Sequence, residues 1–146
     1  MDWGFQVLWG TALLATCAVA HIGIVAISIP LFQKLFEMLD PGWTTRRIAV
    51  MLCFGVLVIA FAHTVQIWTW ALSFFVFQGF ESFEASFYFA TATYTTLGYG
   101  DLVLGQDLRV FGTFASITGL LTFGISTSLL ITLIVRLMPT LLDDPE

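Results

Sequence analysis

Thr93-Tyr94-Thr95-Thr96-Leu97-Gly98-Tyr99-Gly100-Asp101 is the stretch on which the reading of this chain turns. It lies between two apolar segments that are each long enough to cross a bilayer. An extended Thr-Leu-Gly-Tyr-Gly run can turn successive backbone carbonyls toward one axis. Several such runs around that axis make rings of oxygens able to replace the water shell of a permeating cation. Neighbouring carbonyls all face inward only if some residues take left-handed dihedrals, which Gly98 and Gly100 adopt without a Cβ clash. The Thr96 hydroxyl can add a last ring of oxygens at the inner end.

Composition sets the class. The chain has 146 residues, 58 % hydrophobic and only 10 % charged, with a mean hydropathy of +0.93. Too few polar residues are present to cover a soluble globule, so a single-domain integral membrane protein is expected. The net charge of −5 is spread over short loops and ends, and no basic patch points to nucleic acid. Cys17 and Cys53 sit in apolar segments and read as small hydrophobes rather than a disulfide framework.

Three segments exceed the roughly 18 apolar residues that spanning needs. The first runs from about Phe5 to Ile29 and stops at Pro30, the second from about Ile48 to Phe77, and the third from about Val110 to Met138, stopping at Pro139. Between the last two, Glu81 to Thr96 is apolar and aromatic but too short to cross. It suits a re-entrant helix leading into the glycine-rich run, because irregular backbone at that depth must be shielded by protein or line a water-filled path. Ser82 can cap this helix, and Glu84 in its first turn favours the positive end of the dipole. Residues 31–39 read either as a short amphipathic interfacial helix or as an extension of the first helix past Pro30 with a kink. Asp40-Pro41-Gly42 reads as a turn, with Thr44 or Thr45 as a cap for the second span. Lys34, Arg46, Arg47 and Arg136 fall on one side of the bilayer and only Arg109 on the other. This places the N-terminus and the glycine-rich loop outside and the C-terminus in the cytoplasm, in the plasma (inner) membrane. No cleavable signal peptide is visible.

The pattern Thr-x-Thr-Thr-x-Gly-Tyr-Gly-Asp at 93–101 resembles the filter of tetrameric potassium channels, of the small bacterial type with an extra N-terminal helix. The resemblance covers about residues 48–138 and divides the chain into an N-terminal helix and linker, 1–47, and a pore domain, 48–146. It implies an all-α homotetramer that conducts K⁺ through backbone carbonyls of Thr96, Leu97, Gly98, Tyr99 and Gly100. One motif per chain cannot close a ring, hence four chains. The expected partners are K⁺, lipid and three further copies, with no enzymatic activity and no resident cofactor. The resemblance also implies a hydrogen bond between Tyr88 and Asp101, with Tyr88 and Phe89 in an aromatic cuff behind the filter. Two departures stand out. Leu97 replaces the usual valine or isoleucine, and Ala92 replaces a glutamate found in some bacterial channels. A weakly selective cation channel, or a non-conducting or metal-binding membrane subunit, is the alternative reading.

In the third span, Gly119 fits either a gating hinge or close helix packing, and Phe123, of the Phe123-Gly124 pair, is placed at the cavity lining. Ser126, Thr127 and Ser128 either wet a pore or bond their own backbone. His21 and His63 enter their spans from opposite faces. Each lies about 24 Å deep in a roughly 30 Å core, which puts them roughly 18 Å apart and argues against a shared haem or metal site. Neutral packing roles are expected, with Gln66 and Thr64 as partners for His63. Trp68, Trp70, Phe74, Phe75, Phe77, Phe80, Phe83 and Phe87 suit an interfacial belt that also packs the short helix. No span carries the regular arginines of a voltage sensor, and no soluble gating domain is expected after Met138.

Overall fold

The computed structural model describes residues 2–39 and 44–137. Four α-helices account for most of them: α1 Trp3–Met38, α2 Thr44–Val76, α3 Phe83–Tyr94 and α4 Arg109–Leu137, with a 3₁₀ turn at Gln106–Leu108 before α4. No strand occurs among the described residues. Helices α1, α2 and α4 are long and apolar enough to cross a membrane. At 12 residues, α3 is not. The Asp40-Pro41-Gly42 turn, the Thr44 side chain, Pro139 and the C-terminal tail lie outside the described residues.

The expected stop at Pro30 does not occur. Helix α1 runs through it for 36 residues. A mid-helix proline forfeits one backbone hydrogen bond, a loss that membrane helices offset through neighbouring helices and hydroxyl side chains. Here Ser28 Oγ donates to the Val25 carbonyl at 2.7 Å and not to the Ala26 carbonyl that Pro30 leaves without its donor, so it is packing on α2 that holds residues 31–38. Phe32 meets Phe54 edge-on at 4.6 Å. Arg47, near the start of α2, donates to the Phe36 carbonyl at 2.7 Å and lies over the Phe36 ring. The extension reading is therefore correct, and the separate interfacial helix is not.

Helix α2 ends in a left-handed C-cap at Gln78, with φ 57°. The Gly79 N–H donates to Phe74 O at 2.8 Å and the Gln78 N–H to Phe75 O at 3.0 Å, which turns the chain toward α3. The core lies where α2, α3 and α4 meet. Trp70, Phe74 and Phe111 are fully buried, so two members of the expected belt are core residues instead. Phe111 and Phe89 both pack edge-on against Phe74. Trp68, Phe83 and Phe87 pack on one another, and Phe83 and Phe87 also pack against this core. Helix α1 packs on both α2 and α4. It also sends buried Gln6 to the start of α4, where Gln6 Oε1 accepts from the Val110 and Phe111 N–H groups at 3.1 and 3.2 Å. The outer faces carry Leu8, Val19, Ile27, Leu57, Phe61, Leu120 and Val135 exposed. Such faces suit hydrocarbon, not water.

Candidate functional site

The glycine-rich run begins where α3 ends. Ser82 caps α3, its Oγ accepting from the Ala85 N–H at 3.1 Å, and Glu84 sits in the first turn. At the other end, the last carbonyls of α3 have no partner further along the helix. The chain folds back to supply them. The Thr95 N–H bonds Thr91 O, the Thr96 N–H bonds Thr93 O, and the Leu97 and Gly98 N–H groups both bond Ala92 O at 2.9 and 3.1 Å. Ser116 Oγ on α4 adds a bond to Thr93 O at 2.9 Å. The small Ala92 thus sits at the root of the run and serves it through its carbonyl.

These bonds consume the N–H groups at the base of the run. Among the described residues, no hydrogen bond is accepted by the carbonyls of Thr96, Leu97, Gly98, Tyr99 or Gly100. The backbone also has a regular alternation. Thr96, Gly98 and Gly100 have φ of 58°, 49° and 78°, while Leu97 and Tyr99 are not left-handed. Glycine takes such values freely, but β-branched Thr96 does so at a cost of about 1–2 kcal/mol. The motif alone pointed to the two glycines and not to Thr96. Residues 95–101 are exposed in the single chain, with Leu97 56 % exposed, so whatever covers its side chain comes from outside the subunit.

Beyond the run, Tyr88 OH donates to Asp101 Oδ2 at 2.8 Å, tying α3 to the exit of the loop. Asp101 Oδ1 accepts from the Leu102 N–H at 3.0 Å. The hydrogen bond holds the Asp101 carboxyl below its ordinary range and pushes the Tyr88 hydroxyl above its own. Phe89 packs on Phe74 and Phe80.

Gly119 lies against the C-terminus of α3. A Cβ there would collide with the Tyr94 carbonyl oxygen. Helix α4 crosses at backbone contact and remains helical through this point. Phe123 stacks on the His63 ring at 4.4 Å and is partly exposed. Thr127 bonds its own helix at the Phe123 carbonyl, as one of the two readings had it.

The histidines require a correction. Their rings are 5.1 Å apart, not at separate depths. Counting depth from each span's first apolar residue placed both in the far half of a thin core. Helices of 36 and 33 residues overshoot that core at both ends. His21 and His63 are each near the middle of an antiparallel pair, so they meet. The partners also differ from those expected. His63 Nδ1 is 2.7 Å from Tyr94 OH and its Nε2 3.0 Å from Ser126 Oγ. Gln66 instead faces His21, with Nε2 2.7 Å from His21 Nδ1. Thr64 bonds Ala60 O in its own helix. Among the described residues, no group of three His, Cys, Asp or Glu side chains could hold a metal. Tyr94, an unspecified position in the motif, is fully buried and central to these contacts.

No curated protein and no solved structure matches the chain. A family model described as an ion channel matches residues 47–136, which takes in α3, the glycine-rich run and nearly all of α2 and α4. Since that match spans more than half of a chain whose described residues include three helices long and apolar enough to cross a membrane, the protein belongs to the ion channel family.

Proposed function

We propose that the protein is a potassium-selective channel in which four copies surround one pore. Helix α3 acts as a re-entrant pore helix, and residues 96–100 form the filter. The observation that carries this reading is the alternation of left-handed φ at Thr96, Gly98 and Gly100, coupled to N–H groups tied back onto α3. Alternating backbone handedness lets successive carbonyls point the same way, and those of 96–100 are left free to serve an ion. One strand supplies one oxygen per ring level, so several copies are needed to replace a hydration shell. The exposure of 95–101 in the single chain agrees with a run completed by neighbours. Tyr88 and Asp101 brace the outer end of the filter. The C-terminus of α3 turns its partial negative charge toward the cavity, where it favours a cation. The N-terminus lies outside and the C-terminus in the cytoplasm, as the placement of basic residues supports.

Flux of K⁺ and Na⁺ through purified protein in vesicles tests the proposal. Potassium flux well above sodium flux is the expected result. Equal fluxes would replace it with a weakly selective cation channel, and no flux of either ion with a non-conducting subunit.

A further inference from the structure

Five buried side chains from all four helices close a ring of hydrogen bonds below the filter. Gln66 Nε2 meets His21 Nδ1 at 2.7 Å, and His21 Nε2 meets Ser126 Oγ at 3.0 Å. Ser126 Oγ meets His63 Nε2 at 3.0 Å, and His63 Nδ1 meets Tyr94 OH at 2.7 Å. Tyr94 OH returns to Gln66 Oε1 at 3.1 Å. All five residues are buried.

Proton counting restricts this ring sharply. It has five contacts and, with both imidazoles neutral, five hydrogens: one each from the Gln66 amide, His21, Ser126, His63 and Tyr94. The Gln66 amide sets the sense. Its N–H donates to His21 Nδ1, so His21 carries its proton on Nε2 and donates to Ser126. The Ser126 hydroxyl then donates to His63 Nε2. His63 carries its proton on Nδ1 and donates to Tyr94, whose hydroxyl closes the ring at Gln66 Oε1. Turning the amide over reverses every bond, and the two imidazoles still carry opposite tautomers. If both carried the proton on Nε2, the Tyr94 hydrogen would be needed at His63 and at Gln66 together. Thr122 Oγ1, 2.8 Å from Tyr94 OH, stands outside the ring and can fill the second Tyr94 lone pair.

We infer that this ring is a positioning device for the filter, with His21 of the N-terminal helix as its closing member. The inference rests on reading residues 96–100 as the filter. Tyr94 is the last residue of α3, and the Thr95 and Thr96 backbone follows it directly. Anchoring the Tyr94 hydroxyl to α1, α2 and α4 sets where α3 ends and hence where the carbonyl run starts. A buried polar group stripped of its partner is costly, so the ring holds as a unit. Protonating either imidazole puts a sixth hydrogen into five contacts and opens it. The titratable groups on the packed elements are Cys17 and His21 from α1, His63 from α2 and Tyr94 from α3. Helix α4 presents only the Ser126 and Thr122 hydroxyls, and no charged side chain bonds the ring among the described residues.

The chain has only two histidines, so ¹⁵N-histidine NMR of the full-length protein reads both directly. At pH 7 the expected spectrum shows two neutral rings with opposite tautomers, His21 protonated at Nε2 and His63 at Nδ1, or the reverse pair if the Gln66 amide is turned over. The same tautomer on both, or a charged ring, would overturn the inference. Ser126→Ala removes the bridge between the imidazoles, whereas Ser126→Thr keeps the hydroxyl. In vesicles, Ser126→Ala is expected to free the tautomers and lower K⁺ flux about tenfold, the order of one lost buried hydrogen bond. Ser126→Thr retains the locked tautomers and the flux. Unchanged flux in an assembled Ser126→Ala channel would refute the positioning role. Should that variant not assemble, the same comparison is made with Tyr94→Phe, which deletes one oxygen and adds no volume. Equal Na⁺ and K⁺ flux in the unmodified protein would defeat the potassium reading alone and leave the NMR result standing.

Discussion

Gly98 and Thr96 adopt the same left-handed backbone for different reasons. Gly98 has open space where a Cβ would project, so Gly98→Ala meets no neighbour within the chain. Its penalty is the backbone cost of about 1–2 kcal/mol in each copy, which would act on all four copies of the proposed ring. Loss of K⁺ flux in vesicles is the expected outcome. Thr96 already bears that strain, and Thr96→Ala removes its hydroxyl and γ-methyl without adding to it, so a reduced but measurable K⁺ current should persist. At Asp101 the chemistry is a titration. Its carboxyl titrates below 3.8 and the Tyr88 hydroxyl above 10.0, each chiefly because of their mutual hydrogen bond. A carboxylate with a lowered value stabilises the fold above its unfolded value and loses that contribution as pH falls through the folded one. A phenol with a raised value stabilises below its unfolded value and loses it as pH rises through the folded one. The pair therefore contributes fully between the two ordinary values and is lost only beyond the shifted ones, in acid through the lowered carboxyl value and in alkali through the raised phenol value. Tyr88→Phe should move the Asp101 midpoint upward in a carboxyl-resolved NMR titration.

Among the helices, the contact between α3 and α4 carries the tightest constraint. A methyl group at Gly119 has nowhere to go except into the Tyr94 carbonyl. Gly119→Ala should cost about 1–3 kcal/mol through forced separation of the two helices, seen as a lower thermal midpoint in detergent. A shifted open probability at unchanged stability would instead favour the hinge reading of this glycine. The α1–α4 contact has a different chemistry. Gln6 supplies acceptor capacity to two N–H groups at the start of α4, a capping task usually met by a residue next to the helix. Gln6→Ala leaves those groups short of a partner, at about 1–3 kcal/mol, again read from thermal unfolding.

For the whole molecule, the proposed assembly and orientation can each be measured. The mass in detergent should correspond to four copies, and a monomer as the sole species would contradict the ring. A cysteine introduced beside Asp2 should react with an impermeant reagent applied from outside. Labelling from the cytoplasmic side alone would reverse the topology. Helix α1 is an integral part of the bundle in this view, because it meets α4 at both Gln6 and His21.

Features that depend on composition or on neighbours in the chain were legible beforehand. Scarcity of charge required a membrane protein, apolar run lengths counted three spans, and Ser82 marked the start of the short helix. Glycine alternation marked the run at 96–100, since both its residues and its backbone demands are local. Pro30 misled because the missing hydrogen bond is local, while the packing of Phe32 and Phe36 that outweighs it is not. The meeting of His21 and His63, the choice of Tyr94 and Ser126 as partners, and the approach of Gly119 to Tyr94 were decided only in three dimensions. His21 and Ser126 are 105 positions apart in the chain. Whether they touch depends on how far each helix slides along its neighbours. Three helices that are apolar on nearly every side carry no periodic signal of that register. Buried polar groups bias it, because an unpartnered one is costly in a low-dielectric interior and this alignment gives His21, His63, Gln66, Tyr94 and Ser126 partners together.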